Sequence, residues 1–462
     1  MGHLYISAAH KSSGKTTLSI GLCAALRAAG DIVQPFKKGP DYIDPLWLGQ
    51  AAGRPCYNLD YYTMDRAEIS DLFASKMQGA DIGLIEGNKG LYDGLALDGS
   101  NSNAALAAQL NSPIILVLDS QGMTRGVAPL ILGYQAFDPS IRIVGVILNK
   151  VGGSRHEAKL RAVIEHYTDV KVVGAVQRSD DLVINERHLG LVPSNEFASG
   201  RAHIDRMAQI IREQVDLQTL RALGAGAPVP TPSAAPREGG SPRASEKVRI
   251  GYASDSAFGF YYAGDLDALR AAGAELVPFS PLQDKDLPTC DGLFLGGGFP
   301  ETHMQALHDN APMRFAVARF IEDNHPVYAE CGGLMYLCDS LTWGGKTRKM
   351  AGVIPADVDM HAKPQGRGYV RLRETADHLW PLSSDGREAV SAHEFHYSAL
   401  RAIPDGLRFA YRVERGYGLD GEHDGIVYRN LLASYAHLRD TRSHPWADRF
   451  VRFVRNCRNR AE

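Results

Sequence analysis

No two cysteines in the chain are spaced as a Cys-x-x-Cys pair. The six present (Cys23, Cys56, Cys290, Cys331, Cys338 and Cys457) are scattered over 462 residues. Neither structural zinc nor a disulfide framework is expected, and a reducing, cytoplasmic setting is. No apolar run approaches the ~20 residues that a membrane-spanning helix requires. The chain passes almost at once into a strand and a glycine-lysine loop, so no signal peptide is expected. An excess of one charge is missing too. The formal net charge is −3, and nothing global favours nucleic acid or an acidic membrane surface. Internal repeats are absent. What is there, 44% hydrophobic and 22% charged residues, suits a globular protein, and the length calls for two or three domains.

The clearest boundary is the tract 223–246, small and proline-rich with no hydrophobic period. It reads as a flexible linker between a domain over 1–222 and a second over 247–462. The first half alternates strand and helix, with strands expected over 4–9, 32–36, 82–86, 114–119 and 141–149, which implies a parallel α/β sheet. His10-Lys-Ser-Ser-Gly-Lys-Thr-Thr17 stands between the first strand and an apolar-faced helix, the context of a P-loop. Backbone amides around Gly14 and Thr17 would hold phosphate oxygens. Lys15 would reach the outer phosphates and Thr16 would ligate Mg²⁺. Ala9 stands where the first glycine of the motif is usual. Strand 32–36 empties into Lys37-Lys-Gly-Pro-Asp-Tyr-Ile-Asp-Pro45, as ligand loops do at the carboxyl edge of such a sheet. Glu86 ends another apolar strand, where a Mg²⁺-binding acid belongs beside a P-loop. Asn149 ends a third, at a position suited to nucleobase contact.

The second half is organised around Pro326-Val-Tyr-Ala-Glu-Cys331-Gly-Gly-Leu-Met-Tyr-Leu337. A cysteine at a strand-to-helix turn, followed by Gly332 and Gly333, follows the logic of a nucleophile elbow with sulfur as the attacking atom. Apolar strands over 248–253 and 276–279 precede a glycine run. The amides of Gly297 and Gly298, with that of Gly332, could face a developing oxyanion. After the elbow the chain reads as β-rich, over 389–395, 407–412 and 426–436. The thiol needs a histidine base, and His393, His396 and His437 are the candidates. His437 closes the last apolar strand and is the expected base. His393 and His396 form an HxxH in a strand-like run, better suited to structural hydrogen bonds or the cleft lining than to zinc.

The elbow resembles the nucleophile turn of class I glutamine amidotransferase domains, in which the cysteine releases ammonia from glutamine. The chain as a whole resembles the cobyrinic acid a,c-diamide synthase family, a dethiobiotin-synthetase-like P-loop domain joined to such an amidotransferase domain. The matching stretches are Gly14-Lys-Thr-Thr17, Gly39-Pro-Asp-Tyr-Ile-Asp-Pro45, Asn58-Leu-Asp60, Glu86-Gly with Gly90-Leu-Tyr-Asp-Gly94, and Glu186-Arg-His-Leu-Gly-Leu-Val-Pro193. They continue with Leu295-Gly-Gly-Gly298, Glu330-Cys-Gly-Gly-Leu-Met335, His393-Glu-Phe-His-Tyr-Ser398 and Ser434-Tyr-Ala-His437.

The resemblance implies two α/β domains and ATP- and Mg²⁺-dependent amidation of the a and c acetates of a modified tetrapyrrole through an acyl phosphate. Glutamine would supply the nitrogen, with Cys331 as nucleophile and His437 as base. No third triad carboxylate is assigned. Likeness to dethiobiotin synthetase makes Thr16, Asp41 and Glu86 the metal ligands, and Lys15 and Lys37 the phosphate-side cations. Lys38, Tyr42, Asp44, Lys89, Tyr92 and Asp93 fall on the acceptor side. The partners implied are glutamine and a polycarboxylate tetrapyrrole, with a homodimer admitted and neither nucleic acid nor membrane expected. Lys38, Asn88-Lys89, His10 and Lys11 depart from the family. They add positive charge, so the acceptors considered are cobyrinate, hydrogenobyrinate and sirohaem, which carries one more carboxylate than cobyrinate.

Two readings of other classes stand beside this one. A partitioning-type regulatory ATPase would have a signature lysine where this chain has His10. A degenerate amidotransferase domain kept for binding would have no need of intact Cys331 and His437.

Overall fold

The computed structural model describes residues 2–184, 186–187, 190–196, 200–231, 247–381, 389–404 and 406–461. Two compact units, Met1–Ala235 and Pro236–Glu462, divide the chain. Of the tract read as a linker, residues 223 and 224 complete the helix Leu217–Gly224, and Ala225 pairs with Gly2 in a β-bridge. Residues 232–246 of that tract, and His188 and Leu189 of the stretch from Glu186 to Pro193, lie outside the described residues.

The first unit carries seven strands: β1 (Gly2–Ala8), β2 (Val33–Lys38), β3 (Tyr57–Leu59), β4 (Ile82–Glu86), β5 (Ile114–Asp119), β6 (Ile143–Val151) and β7 (Lys171–Gln177). They form one parallel sheet in the order β3-β2-β4-β1-β5-β6-β7. β1 and β4 are buried along their whole length, as continuous apolar strands between helical layers must be. Register brings the reactive ends to one edge. Glu86 stands opposite Ile6 and Lys37, and Asp119 opposite Asn149. Lys37 and Lys38 belong to β2 itself and not to the loop beyond it.

The second unit has a nine-stranded sheet. Its spatial order is Ala274–Phe279, Val248–Ala253, Gly292–Leu295, Val327–Glu330, Leu431–Ser434, His423–Tyr428, Arg408–Arg415, Gly366–Glu374 and Val390–His396. The first five strands are parallel, and the remainder join antiparallel. The stretch expected as one strand over 426–436 is a hairpin. Arg429 takes a positive φ of 49°, which turns His423–Tyr428 back onto Leu431–Ser434. Val327–Glu330 is the hinge of the site. Val327 and Ala329 join the apolar core on one face, while Tyr328 packs on the other against Phe294, Trp380 and Trp446. With both faces held, the chain leaves the sheet at Cys331.

Candidate active sites

In the first unit, Gly14 caps the helix α1 (Lys15–Ala28) with a left-handed φ of 85°. A Cβ on it would stand 2.1 Å from Asn149 Nδ2, so both conformation and space require glycine. Ala9 is not among the positive-φ residues, and its position takes a side chain without strain. Asn149, expected at the nucleobase, donates from Nδ2 to Ser13 O at 2.8 Å and braces the loop from beneath. Lys150 joins it, donating to Ser12 O at 3.2 Å.

Three carboxylates and two ammonium groups meet beside Thr16. Lys37 Nζ lies 2.5 Å from Asp44 Oδ2, 3.1 Å from Glu86 Oε1 and 3.7 Å from Asp41 Oδ2. Lys15 Nζ is 4.0 Å from Glu86 Oε1. Thr16 Oγ1 donates to Glu86 Oε1 at 2.6 Å and to Asp44 Oδ2 at 3.3 Å. Burial favours the neutral amine of Lys37, but Asp44, Glu86 and Asp41 outweigh it and hold its pKa well above the ordinary value. For Lys15 burial prevails and the pKa falls. Asp41, expected as a metal ligand, accepts from Ile43 N and Asp44 N through Oδ1 and braces the loop's own backbone. Asp44, expected on the acceptor side, is the aspartate that joins Glu86 in contact with Thr16.

Among the described residues, no group of three or more His, Cys, Asp and Glu side chains is disposed to hold a metal ion. Even so, the oxygen donors here are of the kind Mg²⁺ takes, and Glu86 Oε2 is buried with no hydrogen-bond partner.

The acceptor-side residues divide. Lys38 is buried, donates to Asn88 Oδ1 at 3.5 Å, and has its pKa pulled down to about 8 by burial, against the opposing pull of Asp60. Lys89 is exposed at a positive φ of 43°. Asp93 Oδ2 accepts from Gly90 N at 2.8 Å, and so shapes its own loop. Tyr92 donates to Tyr134 O and packs against the Phe137 ring. Tyr42 is half-buried directly before the helix Ile43–Ala52.

In the second unit, Cys331 adopts φ 48° and ψ −102°, a strained pair for a non-glycine residue and one that suits an elbow. Its N–H donates to Ser434 O at 2.7 Å, and it heads the short helix Gly332–Leu337. The glycines are closely packed. A Cβ on Gly332 would meet Gly298 N at 2.9 Å, and one on Gly297 would meet the His437 ring at 2.5 Å. The glycine run, the elbow and His437 thus converge on one point.

His437 lies three residues beyond the strand Leu431–Ser434. Its backbone is held by reciprocal hydrogen bonds with His393, at 2.8 and 3.3 Å. Asp424 fixes the approach, accepting from Tyr435 N and Ala436 N at 2.9 Å each. Burial would lower the His437 pKa, but its contacts with the Cys331 and Glu330 side chains win and push it up to about 10. His393 is instead driven down to about 3 by burial, with His437 adding to the drop. His396 stacks on Tyr435 at 3.8 Å, with Nδ1 2.8 Å from Ser398 O. Three apart on a strand, His393 and His396 project to opposite faces. Glu330, the residue before Cys331, is a site residue that its place in the motif does not reveal. Its Oε2 stands 3.3 Å from His437 Nδ1, with both side chains buried.

Comparisons with known proteins match each half of the chain to its own family model. Residues 6–191 match the CobQ/CobB/MinD/ParA nucleotide binding domain, and residues 249–443 the CobB/CobQ-like glutamine amidotransferase domain. A cobyrinate a,c-diamide synthase of Magnetococcus marinus is 47% identical over 98% of this chain and 97% of its own length. A cobyrinate a,c-diamide synthase of Methanosarcina acetivorans is 41% identical over 94% of this chain and 91% of its own. The solved structure of PurLQS from Thermotoga maritima covers 47% of this chain and 100% of that one at 15% identity and a TM-score of 0.36. Among the described residues, no helix is long and apolar enough to cross a membrane.

Proposed function

The chain belongs to the cobyrinate a,c-diamide synthase family, and from that premise we propose that it amidates the a and c acetates of a cobyrinate-type tetrapyrrole, using ATP and glutamine. The supporting observation is the pairing, in one chain, of a buried Cys331–His437 couple with a P-loop ringed by lysines and carboxylates. At the first, the Cys331 thiolate attacks the glutamine amide carbon. The resulting oxyanion faces the amides of Gly297, Gly298 and Gly332. His437 gives its proton to the departing ammonia, leaving a thioester that water hydrolyses to glutamate.

At the second, an acetate oxygen attacks the γ-phosphorus of ATP, ADP leaves, and ammonia displaces phosphate from the acyl carbon. Lys15 and Lys37 offset the phosphate charge, and Asn149 keeps the loop that binds it in shape. Thr16 and Glu86, with Asp41 or Asp44, are the residues that would hold Mg²⁺. When bound, the ion neutralises charge on the phosphates. Mass analysis of a panel of cobyrinate, hydrogenobyrinate and sirohaem, incubated with glutamine and ATP, tests the reading. Two carboxyl-to-amide conversions on a cobyrinate-type acceptor are expected. Glutamine hydrolysis with no acceptor modified would sink it.

Lys38 and Lys89 supply the acceptor side. An exposed lysine–carboxylate pair contributes about 0–1 kcal/mol, and partial desolvation raises this. The burial of Lys38 therefore makes it the stronger of the two. Lys38→Val with Lys89→Met is expected to raise the acceptor KM roughly tenfold and leave ATP binding and glutaminase turnover unchanged. A larger loss for sirohaem than for cobyrinate would mark these lysines as selecting the more highly charged acceptor. Equal loss would mean general electrostatics, and no loss would remove both residues from the site.

A further inference from the structure

Glu330 is the last residue of the strand Val327–Glu330 and the immediate neighbour of Cys331. It is buried, and each carboxylate oxygen has its own task. Oε1 accepts from Tyr328 Oη and from Leu438 N, at 2.5 and 2.9 Å. Oε2 stands 3.3 Å from His437 Nδ1. One donor to Oε1 comes from the nucleophile's strand and the other from the residue after His437. A carboxylate held by two fixed donors is pinned in rotamer. Its other oxygen stands beside His437 Nδ1.

We propose that Glu330 is the positioning carboxylate of the glutaminase site, with Tyr328 setting its orientation. This rests on the reading of Cys331 and His437 given above. With its charge placed beside Nδ1, Glu330 favours the ring orientation that leaves Nε2 for the Cys331 thiol, and it stabilises the imidazolium once formed. Adjacency on the chain has a consequence. The backbone that strains Cys331 into its elbow also aims the carboxylate that steadies its base, so nucleophile and base share one anchor in the Val327–Glu330 strand.

The test compares wild type, Glu330→Gln, Tyr328→Phe and Cys331→Ala in the full chain. The readouts are glutaminase kcat, the pH profile of Cys331 labelling by a glutamine-like electrophile, and ammonia-driven amidation as a check on folding. Glu330→Gln is expected to lower glutaminase kcat by roughly 10²-fold. It should also move the rise in labelling upward by about one pH unit, because the imidazolium that partners the thiolate loses its counter-charge. Tyr328→Phe, which removes one donor and no charge, should give a smaller loss and a shift of the same sign. Should Glu330→Gln fail to fold, Tyr328→Phe decides by that shift. Wild-type pH profiles in the variants that fold would overturn the role of Glu330. Wild-type protein that neither hydrolyses glutamine nor labels at Cys331 would instead overturn the underlying reading.

Discussion

Cys331→Ala is expected to abolish glutamine-driven amidation while leaving amidation driven by high ammonia close to the wild-type rate. Loss of a nucleophile that acts together with its base costs roughly 10⁵–10⁶-fold in kcat. The P-loop machinery lies in the other compact unit and shares no residue with the elbow. His437→Ala should copy this phenotype, because His437 combines contact with Cys331 and a pKa raised to about 10. His396→Ala should not copy it. That ring stacks on Tyr435, and its loss is a packing change. Electrophile labelling of Cys331 distinguishes them directly. Labelling that falls with His396→Ala but survives His437→Ala would reverse the assignment. Equal loss of glutamine- and ammonia-driven amidation in Cys331→Ala would deny that the two chemistries are separable.

What could be read in the sequence was whatever is local along the chain. Gly14-Lys-Thr-Thr17 and Glu-Cys331-Gly-Gly are contiguous, and the strand-then-helix pattern around each needs no tertiary information. The same is true of Glu86 at the end of an apolar run. What could not be read depends on contacts across the chain. Glu330 was visible as a charge ending a strand, but its role rests on Leu438, 108 residues away, and on a ring beyond the final strand. Asp41 and Asp44 are three residues apart and carry the same charge. Only the turn between them shows that Asp41 accepts from its own loop while Asp44 faces Thr16. Asn149 ends its strand at the ligand edge, yet its amide is used on Ser13 O, a contact that no spacing rule reveals. The hairpin at Arg429 was missed for another reason. Ile426 to Ala436 is apolar almost throughout, and the φ of 49° falls on an arginine, with Asn430 beside it as the lone turn-forming residue.

Lys15→Ala is expected to remove amidation with either nitrogen source, in contrast to Cys331→Ala. Transfer of the γ-phosphoryl group depends almost wholly on positioning and on offsetting charge, so a missing cation is not replaced by any covalent step. Loss of one such stabilising group costs roughly 10²–10³-fold. Here the deficit has a further cause. Lys37, the other ammonium of the cluster, is already bound to Asp44 and Glu86 at 2.5 and 3.1 Å. Without Lys15, three carboxylates face the phosphates with that single cation among them, and the local charge becomes more negative where an anion must bind. ATP affinity should therefore fall together with turnover. Glutamine hydrolysis measured without an acceptor should persist at least in part, since its residues belong to the other unit. ATP-dependent amidation at near wild-type rate in Lys15→Ala would mean that the His10–Thr17 loop is not the phosphate site.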